Sequence, residues 1–153
     1  MKKLLTGILA AGIISSCSTG DDSLPVNDNP DNNTATNIIG IWKIQTEYSV
    51  SGADKTTVIK EYAPDDCKKK STYEFRNDGQ YYLIDYNSVN SGCQKVETTL
   101  SYTYSPASME LTIGNNTGKV LELSSNKLTL LTPDNEDNNG DGINDYTKYL
   151  LYR

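Results

Sequence analysis

The chain has 153 residues, with 14 Lys and Arg against 20 Asp and Glu, and no His. That is room for one domain with its own core, and the net charge of −6 disfavours nucleic acid, since phosphates repel an acidic surface. Without His there is no Ser-His-Asp triad, no His-ligated metal and no His to activate a cysteine nucleophile.

The chain opens with Lys2 and Lys3, then an apolar run from Leu4 to Ile14, then Ser15-Ser16-Cys17. This is the layout of an export signal, and the run is too short to span a bilayer as a stable helix. An apolar residue and two small ones before a Cys resemble the lipobox of bacterial lipoproteins. That resemblance implies that residues 1–16 are removed and that Cys17 becomes the acylated, palmitate-bearing N-terminus, anchored by acyl chains in a leaflet. A plain signal peptide cut at a small residue is the other reading. Loss of residues 1–16 removes two lysines and leaves a mature charge of about −8.

Residues 18–37 are rich in Asn, Asp, Pro, Ser and Thr without apolar periodicity, which predicts a tether with a reach on the order of 25 Å. Asp21-Asp22 lies just after Cys17. In lipoproteins of the Bacteroidota, acids at that place favour the outer face of the outer membrane; an ordinary acidic linker is the alternative. Outer-membrane anchoring is expected, with the periplasmic or the surface face left open.

From Ile38 the pattern has period two. Trp42, Ile44, Thr46 and Tyr48 fall on one side, and Lys43, Gln45 and Glu47 on the other, as in a strand with one buried face. Ser51–Asp54 predicts a turn, Thr56–Tyr62 a second strand and Pro64-Asp65-Asp66 a break. Lys68-Lys69-Lys70 reads as a solvated loop or edge. Tyr73 and Phe75 begin a strand that turns at Asn77-Asp78-Gly79 and returns through Tyr82, Ile84 and Tyr86. Asn87 to Lys95 reads as a loop. Val96–Tyr104 is a strand ended by Pro106; Met109, Leu111 and Ile113 make the next. Gly114–Gly118 predicts a turn, Lys119–Leu123 the return, Ser124-Ser125-Asn126 another turn, and Leu128 and Leu130 a further strand. A polar loop spans Pro133–Asn144, and Tyr146–Tyr152 closes the chain.

The expected fold is therefore all-β, an antiparallel up-and-down barrel of about eight strands over residues 38–153, after the signal at 1–16 and the tether at 17–37. Cys67 and Cys93 remain once Cys17 is assigned to lipid. In an exported protein they are candidates for one disulfide, with two free thiols as the alternative.

The chain resembles lipocalins and their calycin relatives, through Gly40-Ile41-Trp42-Lys43 on a first strand followed by an all-β meander. It is most similar to the lipocalin-like lipoproteins of the Bacteroidota. The residues that carry this are Asp66-Cys67, Thr72-Tyr73-Glu74-Phe75, Asp78-Gly79, Gly92-Cys93, Leu128-Thr129-Leu130 and Tyr149–Tyr152. Many of those relatives begin a strand with a second Trp after the second Cys; here Leu100 to Tyr104 takes that place. The resemblance implies that Trp42 plugs the closed end of a barrel.

Two features point to ligands. Asp137-Asn138-Asn139-Gly140-Asp141-Gly142-Ile143-Asn144-Asp145 matches the first nine positions of an EF-hand-type calcium loop. The side chains of Asp137, Asn139, Asp141 and Asp145 and the carbonyl of Ile143 would supply oxygens to Ca²⁺. Lys148 stands where that loop has its bidentate Glu, and a solvated loop of turn formers is the competing reading. The second feature is the barrel interior. Trp42, Tyr48, Tyr73, Phe75, Tyr82, Leu100, Tyr102, Met109 and Leu111 are the expected inward residues. Trp42, Tyr73, Phe75, Leu100 and Tyr102 are the candidate contacts to a small hydrophobic ligand. A filled barrel whose loops dock an envelope protein or a glycan is the rival expectation. No phosphate loop or dinucleotide motif is present, and Glu97 and Glu122 read as surface charges, so no enzymatic activity is expected.

Overall fold

The computed structural model describes residues 38–153. The signal segment, Cys17 and the tether lie outside the described residues. Alternating apolar and polar positions build strands β1 (Gly40–Val50), β2 (Val58–Tyr62), β3 (Thr72–Phe75), β4 (Gln80–Val89) and β5 (Gly92–Ser105). They continue as β6 (Glu110–Ile113), β7 (Asn116–Leu123), β8 (Lys127–Pro133) and β9 (Tyr146–Tyr152), and a 3₁₀ turn covers Lys68–Lys70.

β3 to β9 each pair antiparallel with the next, β3 pairs with β1, and β9 returns to pair with β1. Eight strands thus close a ring, which removes the exposed edges of an open sheet. The expected up-and-down barrel is observed, with one change. β2 stands outside the ring and pairs with β1 alone, over Glu47–Val50, while β3 takes the same edge of β1 over Gly40–Trp42.

Turn chemistry moves two boundaries. Asn87 to Lys95 is no loop: β4 and β5 form one long hairpin, paired from Gln80↔Ser101 to Val89↔Gly92. Its turn is Asn90-Ser91, both at positive φ (48° and 65°), the backbone of a two-residue hairpin turn that Gly usually supplies. Likewise the β6–β7 turn needs only Gly114 and Asn115, because Asn116, Thr117 and Gly118 pair with β6.

The largest change lies within β1. Ile44 pairs with Leu151 and Thr46 with Leu150, so Gln45 is an extra residue, a β-bulge. Beyond it every side chain changes face. Glu47 pairs with Tyr149, which pairs with Leu130 of the core, so Glu47 and then Ser49 face the interior. Tyr48, expected inside, faces out, with the Lys148 ammonium 5.0 Å from its ring centre. Thr46 also faces out, and its hydroxyl donates to Glu61 Oε1 at 3.2 Å. Tyr82, also expected inside, stacks outside under the Arg76 guanidinium at 3.6 Å.

The core fills one end of the barrel. Trp42, Ile44, Phe75, Leu111, Val120, Leu123, Leu128, Leu130 and Leu151 are buried together, with Ile38 beneath them. The Trp42 indole N–H donates to the Ile38 carbonyl at 2.8 Å, and the Arg153 guanidinium lies 4.2 Å from its ring centre. Arg153 also donates to the carbonyls of Ile39 and Ser125, which ties the C-terminus across the closed end.

Candidate ligand-binding site

Above this packed end the interior turns polar. The β1 bulge brings Glu47 and Ser49 inward, β9 contributes Tyr149, β3 Tyr73, and β4 Tyr81 and Asp85. Ser49 Oγ is a buried polar atom with no hydrogen-bond partner among the described residues. The hydroxyls of Tyr73, Tyr81 and Tyr149 likewise have no hydrogen-bond partner among the described residues, whereas Tyr102 donates to the Arg76 carbonyl and Tyr104 to Met109 Sδ.

β3 spans only Thr72–Phe75, so the stretch of β4 from Asp85 to Val89 has no neighbour on that side. The segment between β2 and β3 crosses this gap as a strap. The Cys67–Cys93 disulfide joins the strap to β5, with a Cα–Cα distance of 5.3 Å. Lys68 Nζ reaches Asp85 at 2.7 Å, and the Ser88 hydroxyl donates to Asp65 at 2.7 Å. Ser71, fully buried, donates to Asp85 and accepts the Tyr86 N–H, both at 2.9 Å. A pocket of about 240 Å³ remains between strap and strands, lined by Ile44, Glu47, Tyr62, Pro64, Lys68 and Tyr86 among others. A second hollow, of about 280 Å³, lies by Ile38, Ile39, Tyr102 and Tyr104 at the closed end. It lacks charged residues, and both of its tyrosine hydroxyls are satisfied.

The electrostatics follow burial. Desolvation raises the Glu47 carboxyl above its ordinary value; Lys68 acts against this, and Asp134 and Asp85 add to it. Burial also acts on Asp85, but hydrogen bonds from Lys68, Asn87 and Ser71 hold its carboxyl below the ordinary value. Burial pushes the Tyr149 hydroxyl up to about 12, with the Glu47, Asp134 and Asp85 carboxylates adding to the shift. Burial raises Tyr73 and Tyr81 too, again beside the Asp85 carboxylate.

A raised carboxyl is a stability statement. Glu47 stabilises the fold relative to its ionised form only below its unfolded value of 4.5, and this is lost as pH rises through its higher folded value. Ionised Glu47 therefore weighs against the fold at neutral pH. Glu47→Gln is expected to raise the melting temperature at pH 7 by on the order of 1–2 °C after solvent screening. The gain should shrink below pH 4.5. Thermal melts across pH check this, and an unchanged or lowered melting temperature at pH 7 would contradict it.

The residues read from sequence are divided by the fold. Trp42, Phe75 and Tyr102 pack at the closed end, where Phe75 and Tyr102 meet edge-to-face at 5.0 Å. Tyr73 alone of the expected contacts belongs to the polar group. Leu100 stands opposite Tyr81 on β5, 39% exposed and beside the β6–β7 turn at Gly114. Glu47, Ser49, Lys68, Asp85 and Tyr149 were not expected there. Tyr149 was visible as part of a Tyr-rich strand, but nothing in the local pattern marks the bulge.

The Asp137–Asp145 loop is closed by its own backbone. Asp137 accepts the N–H groups of Gly140 and Gly142, and Asp141 accepts that of Ile143. Asn139 Nδ2 donates to Asp141 at 3.0 Å, and Ile143 is exposed. Asp145 is fully buried and accepts from Gly52 N at 3.0 Å and Asn138 N at 2.6 Å, pinning the loop to the turn after β1. Both its oxygens are thus engaged, and no group of three or more acidic, Cys or His side chains suited to a metal occurs among the described residues.

The family model for the lipocalin-like domain matches residues 38–130. The chain belongs to the lipocalin-like domain family. The match runs from the start of the described barrel into β8, and β9, beyond it, closes the ring of this lipocalin-like domain. Among solved structures, the chain is similar to a bovine odorant binding protein, a deswapped triple mutant, at 16% identity and TM-score 0.42, covering 74% of this chain and 72% of that one. It is also similar to a dog lipocalin allergen, at 18% identity and TM-score 0.43, covering 76% and 74%. Aphrodisin, a sex pheromone from female hamster, matches at 13% identity and TM-score 0.41, covering 76% and 75%. No curated protein matches.

Proposed function

We propose that this lipocalin-like domain is a non-enzymatic binding module for a small ligand, held at the strap-side pocket. The observation that carries this is the pocket of about 240 Å³ between strap and strands, with the Glu47 carboxylate in its lining and no described residue bonded to it. A half-buried carboxylate without a partner costs free energy, which a ligand that pairs with it recovers. The packed closed end restricts a ligand to the upper half, so it is smaller than a full barrel cavity would hold. Native mass spectrometry of protein purified without detergent is expected to show a co-purified small molecule, lost from a variant in which Ala63→Trp fills the pocket. A mass equal to the bare chain, together with no ligand-induced change in melting temperature, would remove the reading.

We further propose that Cys17 carries the lipid and holds the domain on the outer membrane of the cell envelope. The motif Ser15-Ser16-Cys17 after an apolar run supports this. Cys17→Ser is expected to move the protein from the membrane to the soluble fraction and to abolish labelling by an alkyne-tagged palmitate. Unchanged labelling would overturn the assignment.

A further inference from the structure

The pocket contains one carboxylate more than its own scaffold uses. Asp65 is committed to the strap: its Oδ1 accepts the N–H groups of Cys67 and Lys68 at 2.9 and 2.7 Å, and its Oδ2 accepts the Ser88 hydroxyl. Asp85 is covered by Lys68, Ser71 and the Asn87 amide. Glu47 lines the same pocket, and no described residue gives it a hydrogen bond or an ion pair. The cation that acts on it, Lys68, is held 2.7 Å from Asp85.

What lines the pocket beside Glu47 suits a ligand of one kind. Tyr62 and Tyr86 line the pocket with rings, and Ile44 and Pro64 add apolar surface. A half-buried carboxylate gains most from a partner of opposite charge, and aromatic rings attract cations. An ammonium group has three N–H donors and no acceptor, which suits a carboxylate that no protein donor occupies.

Resting on the small-ligand reading above, we propose that the pocket takes a protonated organic amine, its ammonium on Glu47 and its apolar body against Ile44, Tyr62 and Pro64. An anion would meet Glu47 and Asp65. A neutral ligand would leave Glu47 charged and unpaired.

Calorimetric titration of the purified full chain with phenethylamine, 2-phenylethanol and phenylacetate separates the cases, since these probes share a shape and differ in charge. The amine is expected to bind at least about tenfold more tightly than the alcohol, as charge-assisted hydrogen bonds warrant, and the acid more weakly still. Raised salt should weaken the amine alone, and Glu47→Gln should bring amine and alcohol level. If the alcohol or the acid binds as well as the amine, the amine assignment falls and the small-ligand reading stands. If none of the probes binds, both fall. The comparison of probes on the unaltered protein stands independently of the variant.

Discussion

Trp42→Ala is expected to destabilise the domain by about 3–5 kcal/mol, a large part of the 5–15 kcal/mol that holds a typical domain together. Trp42 is fully buried and is the largest fully buried side chain among the described residues. Its removal leaves a cavity ringed by Ile38, Ile44 and Leu151 that β-strands tied at both edges cannot close by collapse. It also frees the Ile38 carbonyl, which accepts the indole N–H, and removes the ring beneath the Arg153 guanidinium. Urea denaturation followed by circular dichroism should show the midpoint falling steeply or the native signal lost. A loss below about 1 kcal/mol would mean that this end is less tightly filled than its burial indicates. Trp42→Phe separates the contributions: it keeps most of the volume but not the hydrogen bond, and is expected to lose less.

The joint substitution Cys67→Ser with Cys93→Ser is the second large effect. The bridge closes a loop with a sequence separation of 26, and its loss is expected to cost roughly 3–4 kcal/mol in the chain-entropy model. Non-reducing peptide mapping should recover the two residues in one linked peptide; alkylation of both in untreated protein would contradict the bridge. Because the bridge holds the strap that walls the pocket, its loss should weaken ligand binding as well as the fold. A variant that loses stability while binding unchanged would place the pocket elsewhere.

Much of this was legible in the sequence. Tyr146–Tyr152, expected as the closing Tyr-rich strand, is β9 as observed, and Asp78-Gly79 marked the β3–β4 hairpin. Strand alternation is written into neighbouring residues, so local reading recovers it. The long β4–β5 hairpin was missed because Asn90-Ser91 adopts a backbone that Gly usually marks. The calcium-like spacing at Asp137–Asp145 was legible as a turn pattern. Whether Asp145 points to a metal or to Gly52 depends on a contact between residues far apart in sequence.

Residue order alone set an acidic all-β domain without histidine, most of its strands and the cysteine pair available for a bridge, while the place of Trp42 at the closed end came from the family resemblance. The first three are properties of composition and of short-range alternation. The tertiary structure alone decided which face Glu47 and Ser49 occupy. One extra residue at Gln45, visible only in the pairing of β1 with β9, reverses every side chain beyond it. The proposed ligand site depends on that reversal, since a strand that kept its alternation would have put Tyr48 in the barrel and Glu47 in solvent.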